Sequence, residues 1–190
     1  MTSKRWPLYA IAALFAGPLV LAVLLYAGRG ALDFGALPNP DRELIATPAN
    51  LDGTALERPD GSLTDSDWAR YRWSLIYARM SRCERQCGDA LTRLSQVRAA
   101  LGEDRDRVQL VFIAPSADAG DGAGGGFAIG LIDGRHRDEL IRAFGSERLE
   151  QGRYFVVDPL GNVILSYPDD ADQTRLLDDL ERLLDVSRVG

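Results

Sequence analysis

The longest apolar run of this chain covers residues 8–27 (LYAIAALFAGPLVLAVLLYA) and contains no charged side chain. A helix of this length rises about 30 Å, which is the thickness of the hydrocarbon core of a bilayer. The apolar runs that follow are shorter and are interrupted by polar residues. We therefore predict one N-terminal transmembrane helix over residues 8–27, followed by a water-soluble body.

Charged residues on either side of this run predict its orientation. Lys4 and Arg5 precede the run, whereas only Arg29 follows it closely. The positive-inside rule then places residues 1–7 in the cytoplasm and the body outside the inner (cytoplasmic) membrane, in a periplasmic or other extracytoplasmic space. A cleaved signal peptide is the alternative, but its apolar core usually has only about 7–15 residues. We expect a retained, single-pass anchor.

The pattern of the body is that of an α/β protein. Residues 28–50 are rich in Gly, Pro and Ala, which predicts a linker to a domain at residues 51–190. Within that domain the patterns predict, in chain order, a hairpin at 56–64, a strand at 72–78, a helix at 83–101, a strand at 108–114, a loop at 117–126, a strand at 127–132, a helix at 136–144, a strand hairpin at 154–157 and 163–167, and a helix at 170–186 with Asp172 near its N-cap. Strand, helix, strand, hairpin and helix is the thioredoxin order. We therefore predict a thioredoxin-like fold with a mixed central sheet flanked by helices.

The charge of the body excludes one class of partner. The chain has 22 basic and 28 acidic residues. Without Lys4, Arg5 and Arg29, 19 basic side chains remain against 28 acidic ones, so residues 32–190 carry a net charge of −9. Nucleic acid and anionic lipid head groups repel a domain of this charge. We expect no nucleic-acid partner, and we expect contact with the membrane through the predicted anchor.

The chain contains two cysteines, Cys83 and Cys87, in the run MSRCERQCGD, which follows a predicted strand and opens a predicted helix. Side chains four residues apart lie on one face of a helix, with Cα atoms about 6 Å apart, within reach of a disulfide. The helix N-terminus stabilises a thiolate, and Arg82 and Arg85 add positive charge. We predict that Cys83 is the attacking catalytic thiol and that Cys87 is the resolving one.

Two further interpretations of the cysteine pair stay open. A structural disulfide would close a very small loop, so it would add little entropic stabilisation. Two thiolates also suit Cu(I), a soft ion, which makes Cys83 and Cys87 candidate metal ligands. A third ligand would come from His136, the only histidine, or from Met80, the only methionine after Met1. Residues of these types more often lie on a solvated helix and in a core, respectively.

Several runs of the sequence carry a resemblance to a known family. They are RWSLIYARMSRCERQCGDALTRLSQVRAAL, VQLVFIAPS and GRYFVVDPLGNVILSY, followed by the amphipathic terminal helix. Over residues 51–186 the chain is similar to the SCO/SenC family, whose members are membrane-tethered thioredoxin-fold proteins used in assembling the copper site of cytochrome c oxidase. The C-x-x-x-C spacing of Cys83 and Cys87 is the most specific part of this resemblance. It implies copper as a ligand, and a cytochrome c oxidase subunit or another redox or copper protein as a partner.

The sequence departs from the pattern of that family at three places. The proline that normally follows the second cysteine is Gly88 here. The copper-binding histidine of the family would fall near Glu150, where this chain has no histidine. The cis-proline typical of thioredoxins is missing before Tyr154, where Gln151–Gly152–Arg153 stand. The resemblance therefore extends to the two cysteines and not to the imidazole.

Three functions are compatible with these residues. The first is thiol–disulfide exchange through the C-x-x-x-C dithiol in oxidase copper-site assembly, which would make the protein an oxidoreductase. The second is non-enzymatic Cu(I) delivery, with copper held by the same two cysteines. The third is a degenerate assembly scaffold that uses neither cysteine. The intact pair and the missing imidazole favour the first, because exchange needs only the two sulfurs.

Overall fold

The computed structural model describes residues 16, 40–82, 85–120 and 126–187 of the chain. Among these residues the strands are β1 (Glu43–Leu44), β2 (Trp73–Ala78), β3 (Val108–Ala114), β4 (Phe127–Leu131), β5 (Arg153–Val157) and β6 (Val163–Pro168). The α-helices are α1 (Arg85–Ala100), α2 (Ala117–Gly120), α3 (Arg137–Phe144), α4 (Ser146–Gln151) and α5 (Gln173–Val186), and a 3₁₀ helix spans Gly102–Arg107.

The strands form one six-stranded mixed sheet in the order β1-β6-β5-β2-β3-β4. β2 runs parallel to β3, and β3 runs parallel to β4. β5 pairs antiparallel with both β2 and β6. A parallel βαβ unit followed by an antiparallel hairpin is the arrangement predicted from the order of the elements. The predicted thioredoxin-like α/β fold with a mixed sheet flanked by helices is confirmed.

Side chains of the central strands alternate between two buried clusters, one on each side of the sheet. Tyr77 of β2 and Phe112 of β3 belong to the cluster that packs against α1 and α5, which we call the α1/α5 face. Ile76 and Ile113 belong to the cluster that packs against α3 and α4, which we call the α3/α4 face. Because successive residues of a strand point to opposite sides, a strand that is buried throughout, such as β2, contributes to both cores.

Hydrogen bonds confirm two local predictions. In the predicted hairpin at residues 56–64, the Arg58 N–H donates to the Ser62 carbonyl over 2.7 Å, and the Gly61 N–H donates to the Arg58 carbonyl over 2.9 Å. At the start of α5, a carboxylate oxygen of Asp172 accepts a 2.8 Å hydrogen bond from the Thr174 N–H. Asp172 is therefore the N-cap, and the helix begins just after it.

The predicted linker reaches too far into the chain. Glu43 and Leu44, assigned to the linker at residues 28–50, pair antiparallel with Ser166 and Leu165 of β6. The next residue, Ile45, is buried in the core of the α3/α4 face. A two-residue strand is too short for an alternating pattern to be visible, so the composition of its surroundings dominated the prediction.

Two short helices were not predicted. The predicted loop at residues 117–126 begins with α2, a single helical turn. The predicted helix at residues 136–144 is followed, after Gly145 with a φ of 86°, by α4. Leu149 is the one buried residue of α4. One buried position in six cannot establish a helical period, so the sequence pattern gave no signal.

Among the residues that the structure describes, no helix combines the length and the apolar character needed to cross a bilayer. The predicted span at residues 8–27 lies outside the described residues, apart from Ala16. Cys83, at the predicted start of the first helix, also lies outside them.

Candidate redox site

Cys87 lies in the first turn of α1, just beyond the carboxyl end of β2. Its side chain is 4% exposed and belongs to the core of the α1/α5 face. The Cys87 sulfur is in disulfide form. A sulfur buried in this way is shielded from direct attack by a partner.

The Tyr77 hydroxyl faces the Cys87 sulfur, with Oη and Sγ 3.9 Å apart. A disulfide sulfur has no proton to give, so the hydroxyl is the donor of this weak hydrogen bond. The Tyr77 ring stacks on Phe112 at a centroid distance of 5.9 Å and lies against the Tyr154 ring at 5.5 Å. Burial raises the pKa of Tyr77 above its usual value, so the hydroxyl keeps its proton at neutral pH.

Arg79 extends the polar contacts from Tyr77 to the surface. Two residues after Tyr77, its side chain lies on the same side of the chain, and its guanidinium lies near the tyrosine hydroxyl, since both would contact a Cβ at position 152. The Arg79 Nε donates to the Ser81 Oγ over 2.7 Å, and Nη1 lies 3.8 Å from a carboxylate oxygen of Asp169. One guanidinium therefore joins the strand end, the segment before Cys83 and the segment after β6.

The segment after β6 is fixed against this site by its backbone. The Asp169 carbonyl accepts hydrogen bonds from the Tyr154 hydroxyl over 2.9 Å and from Arg93 Nη1 over 2.8 Å. The Tyr154 hydroxyl also lies 3.4 Å from the carbonyl of Ala90, one turn along α1 from Cys87. Tyr154 therefore links β5, α1 and the Asp169 segment around the cysteine.

The segment that precedes β5 lies beside the segment that leads to Cys83. The Ser81 hydroxyl donates to the Glu150 carbonyl over 3.1 Å, and the Met80 N–H donates to the Leu149 carbonyl over 2.7 Å. The position at which the resemblance placed the histidine of the family is therefore adjacent to the cysteine segment. Here it is the end of α4, and it presents no imidazole.

Gly152 completes this side of the site. Its φ is +77°, a conformation that L side chains rarely adopt. A Cβ built on Gly152 would lie 2.8 Å from the Tyr77 Oη and 3.0 Å from the Arg79 Nη1. Tyr77 and Arg79 thus occupy the space that a side chain at position 152 would need.

The two residues proposed as a third copper ligand lie on the other side of the sheet. Met80 packs against the core of the α3/α4 face, and its sulfur lies 3.3 Å from Arg137 Nη2. His136 precedes α3, and its Nδ1 lies 3.8 Å from a carboxylate oxygen of Glu139. The structure does not bring either residue to Cys87. Within the described ranges, no group of three or more His, Cys, Asp and Glu side chains could hold a metal ion.

A groove of about 560 Å³ opens next to the cysteine segment, and Arg82, Pro115, Ser116, Asp118 and Ala119 line it. A hydrogen bond from Ser116 lowers the pKa of Asp118, and the charge of Arg82 acts in the same direction. Arg82, one of its lining residues, immediately precedes Cys83 in the sequence.

The two cysteines were predicted as site residues from the sequence, whereas Tyr77, Arg79, Asp169 and Gly152 were not. One signal was available for two of them. The alternation along RWSLIYARM places Tyr77 and Arg79 on one side of the strand, and that strand ends just before the cysteine segment. No sequence pattern links Asp169 or Gly152 to the cysteines, because the fold brings them there from distant segments.

The fold and the buried cysteine beyond β2 define a thioredoxin-like protein. Residues 73–187 match the family described as "Transmembrane-like, thioredoxin-like, C-terminal domain", and the chain belongs to this family. A search among curated protein sequences finds no match to this chain.

Solved structures of Sco proteins share the fold, which confirms the resemblance recognised in the sequence. Apo Sco1 from Thermus thermophilus superposes with a TM-score of 0.59 at 22% identity, covering 78% of this chain and 99% of that one. Yeast Sco1 with copper bound gives 0.57 at 16% identity, with coverages of 80% and 96%. BsSco, a Sco-family cytochrome c oxidase assembly protein in which a disulfide switch was identified, gives 0.54 at 13% identity, with coverages of 75% and 99%.

Proposed function

We propose that this chain is a membrane-anchored, extracytoplasmic thioredoxin-like protein that carries out thiol–disulfide exchange through Cys83 and Cys87. The observation that carries the proposal is the state and place of Cys87, a buried disulfide sulfur in the first turn of α1. Because Cys83 is the only other cysteine of the sequence, we assign it as the partner of Cys87. The disulfide switch identified in BsSco supports a redox role for a pair on this fold.

The exchange would proceed in two displacement steps. The Cys83 thiolate attacks a partner disulfide, forms a mixed disulfide and releases one partner thiolate. The Cys87 thiolate then attacks the Cys83 sulfur, forms the Cys83–Cys87 disulfide and releases the second partner thiolate. Two electrons pass from the pair to the partner, whose disulfide becomes a dithiol. The same steps in reverse describe reduction of the pair.

The anchor and the cellular role rest on other observations. The uncharged run at residues 8–27 and the basic residues before it support a single span with the domain outside the membrane. The match to a family of transmembrane-like proteins is consistent with this arrangement. The likeness to Sco structures, among them an oxidase assembly protein, leads us to propose a cytochrome c oxidase subunit or another protein of copper-site assembly as the partner.

A second candidate function is Cu(I) delivery by the same two sulfurs, without catalysis. The yeast Sco1 structure with bound copper favours it, as do two cysteines four residues apart in the sequence. The described surroundings of Cys87 disfavour it, because the end of α4 near Glu150 presents no imidazole to the cysteine segment and both His136 and Met80 lie on the other side of the sheet. We therefore place copper delivery second.

Trapping of a partner tests the exchange function. In membranes that contain the full chain, Cys87→Ser removes the resolving thiol, so we expect a mixed disulfide between Cys83 and a partner. The band should disappear on reduction, and the matched variant Cys83→Ser should not form it. Absence of any mixed disulfide with Cys87→Ser would reject exchange. If, in addition, oxidase assembly is unaffected in the double variant Cys83→Ser/Cys87→Ser, the scaffold function replaces the exchange function.

A Cu(I) titration separates the second candidate from the first. The reduced full chain in detergent is titrated with Cu(I) against a competing chelator, with Cys83→Ser in parallel. Exchange alone predicts binding no tighter than that of glutathione thiols. One-to-one binding that is much tighter, and that is lost in Cys83→Ser, would make delivery the better assignment.

A further inference from the structure

The polar side chains around Cys87 form a connected series in the core. Asp169, on the surface side, faces Arg79, whose guanidinium lies near the Tyr77 hydroxyl, and that hydroxyl donates to the Cys87 sulfur. The hydroxyl of Tyr77 thus lies between a guanidinium and a sulfur. Apart from Cys87, no residue of this series belongs to the dithiol.

We propose that Tyr77 is a positioning residue for the redox pair, and that its hydroxyl, which lies beside Arg79, stabilises the reduced form of Cys87 by hydrogen bonding. This inference rests on the proposed exchange function. It assigns a role to a side chain that the chemistry of the two sulfurs does not by itself require.

The two redox states of the Cys87 sulfur differ in how strongly they accept a hydrogen bond. A disulfide sulfur accepts hydrogen bonds weakly, and the 3.9 Å contact in the oxidised form is correspondingly long. A thiolate is a much stronger acceptor, because hydrogen bonds to ionised groups are shorter and stronger. Burial removes competing water from Cys87, so a hydrogen bond from the Tyr77 hydroxyl counts for more after reduction than it would at an exposed sulfur.

The space for this contact comes from Gly152. A side chain at that position would collide with the Tyr77 oxygen and the Arg79 guanidinium. The glycine lets both groups approach the start of β5, where the tyrosine hydroxyl lies between Arg79 and the sulfur. The site thus has a fixed donor in a region where it has no imidazole.

Substitution of the tyrosine tests the proposal on the full chain in detergent. The dithiol and disulfide forms are equilibrated in glutathione buffers, trapped by alkylation and quantified by mass spectrometry. In the wild type, the hydrogen bond from the Tyr77 hydroxyl favours the dithiol. Tyr77→Phe removes this bond, so it should shift the equilibrium toward the disulfide by about fivefold, or about 20 mV for a two-electron couple. Arg79→Gln should shift it in the same direction by a smaller factor.

Tyr167→Phe is the matched control, because Tyr167 is equally buried in the same cluster and its hydroxyl bonds to Asp179. It should lower stability and leave the equilibrium unchanged. If Tyr77→Phe is folded and stays within twofold of the wild type, the role of Tyr77 is rejected. If Tyr77→Phe does not fold, Arg79→Gln decides in the same way. If the wild-type pair does not titrate at all, the exchange function itself is rejected, and the role of Tyr77 with it.

Discussion

The two faces of the sheet are buried to similar depth, yet they differ in the aromatic residues that they bury. Tyr77, Tyr154 and Tyr167 all pack on the α1/α5 face, together with Cys87. On the α3/α4 face the large buried aromatic residues are Phe144 and Phe155, whose rings lie 4.6 Å apart. A buried tyrosine needs a partner for its hydroxyl, whereas a phenylalanine needs only volume. The difference indicates that one face combines packing with polar chemistry and that the other stabilises the domain.

The largest effect that separates the two faces is expected from Phe155→Ala. Phe155 is fully buried on the α3/α4 face, and its truncation leaves a cavity. We expect the free energy of unfolding to fall by about 3–5 kcal/mol, while the dithiol–disulfide equilibrium stays within twofold of the wild type. Urea unfolding and redox equilibration of the same sample measure both. A redox shift as large as that of Tyr77→Phe would break the division between the faces.

A smaller loss is expected from removal of the α5 cap. Asp172 caps the helix that packs on the α1/α5 face, so Asp172→Ala should lower the free energy of unfolding by about 1 kcal/mol. The exposed carboxylate of Asp170 provides the control, since Asp170→Ala removes a charge from the same segment without removing the cap. Both variants should keep the wild-type redox equilibrium. Equal losses of stability in urea would show that charge, and not capping, is responsible.

The ion pair of Glu43 at the edge of the sheet should contribute less than about 1 kcal/mol to the free energy of unfolding, and this contribution should depend on pH. A hydrogen bond from Arg148, assisted by Arg153, lowers the pKa of Glu43 below its ordinary value. A lowered pKa in the folded state means that the ion pair stabilises the fold above the unfolded-state pKa, and that this stabilisation is lost as the pH falls through the folded-state pKa.

Glu43→Gln should therefore be less stable than the wild type at pH 7, and the difference should shrink as the pH falls below the unfolded-state pKa of Glu43. Urea unfolding over a series of pH values measures the difference. A gap that is the same at every pH would mean that β1 is held by contacts other than the charge of Glu43.

The smallest effect is expected for Cu(I) affinity when residues of the α3/α4 face are substituted. Met80→Leu and His136→Gln alter residues of the α3/α4 face, away from Cys87. If the reduced chain binds Cu(I), both variants should change its affinity by less than about twofold, since affinity follows the groups that contact the ion. The chelator titration described above measures this, with Cys83→Ser as the positive control. A large loss in either variant would place a metal ligand on the other face.

Much of the fold could be predicted from the sequence because its signals are local. β2, β3 and α1 appear as unbroken apolar runs and a helical stripe, and Asp172 appears as a cap before such a stripe. β1 was absorbed into the linker because it has only two residues and depends on pairing with β6. Elements of that length are stabilised by tertiary contacts, which a local pattern does not contain.

The candidate site, like the fold, could be predicted only in part from the sequence. Cys87 and its place in the first helical turn follow from the spacing of the two cysteines and from the strand before them. The sequence named His136 and Met80 as further ligands by elimination, but the alternation of β2 turns Met80 away from the cysteine. Asp169 and Gly152 reach the site from segments far along the chain, so only the folded structure identifies them.

Gly152 and Tyr77 also constrain which substitutions the chain can accept, and in which order. A histidine at position 152 would need the space now held by the tyrosine oxygen and the Arg79 guanidinium, and it would also have to adopt the positive φ of Gly152. Removal of the Tyr77 hydroxyl would relieve part of this cost, so the effects of Gly152→His and Tyr77→Phe should be non-additive in a double-mutant cycle. A designer who wishes to place an imidazole at position 152 should therefore alter position 77 as well, and would lose the hydroxyl in doing so.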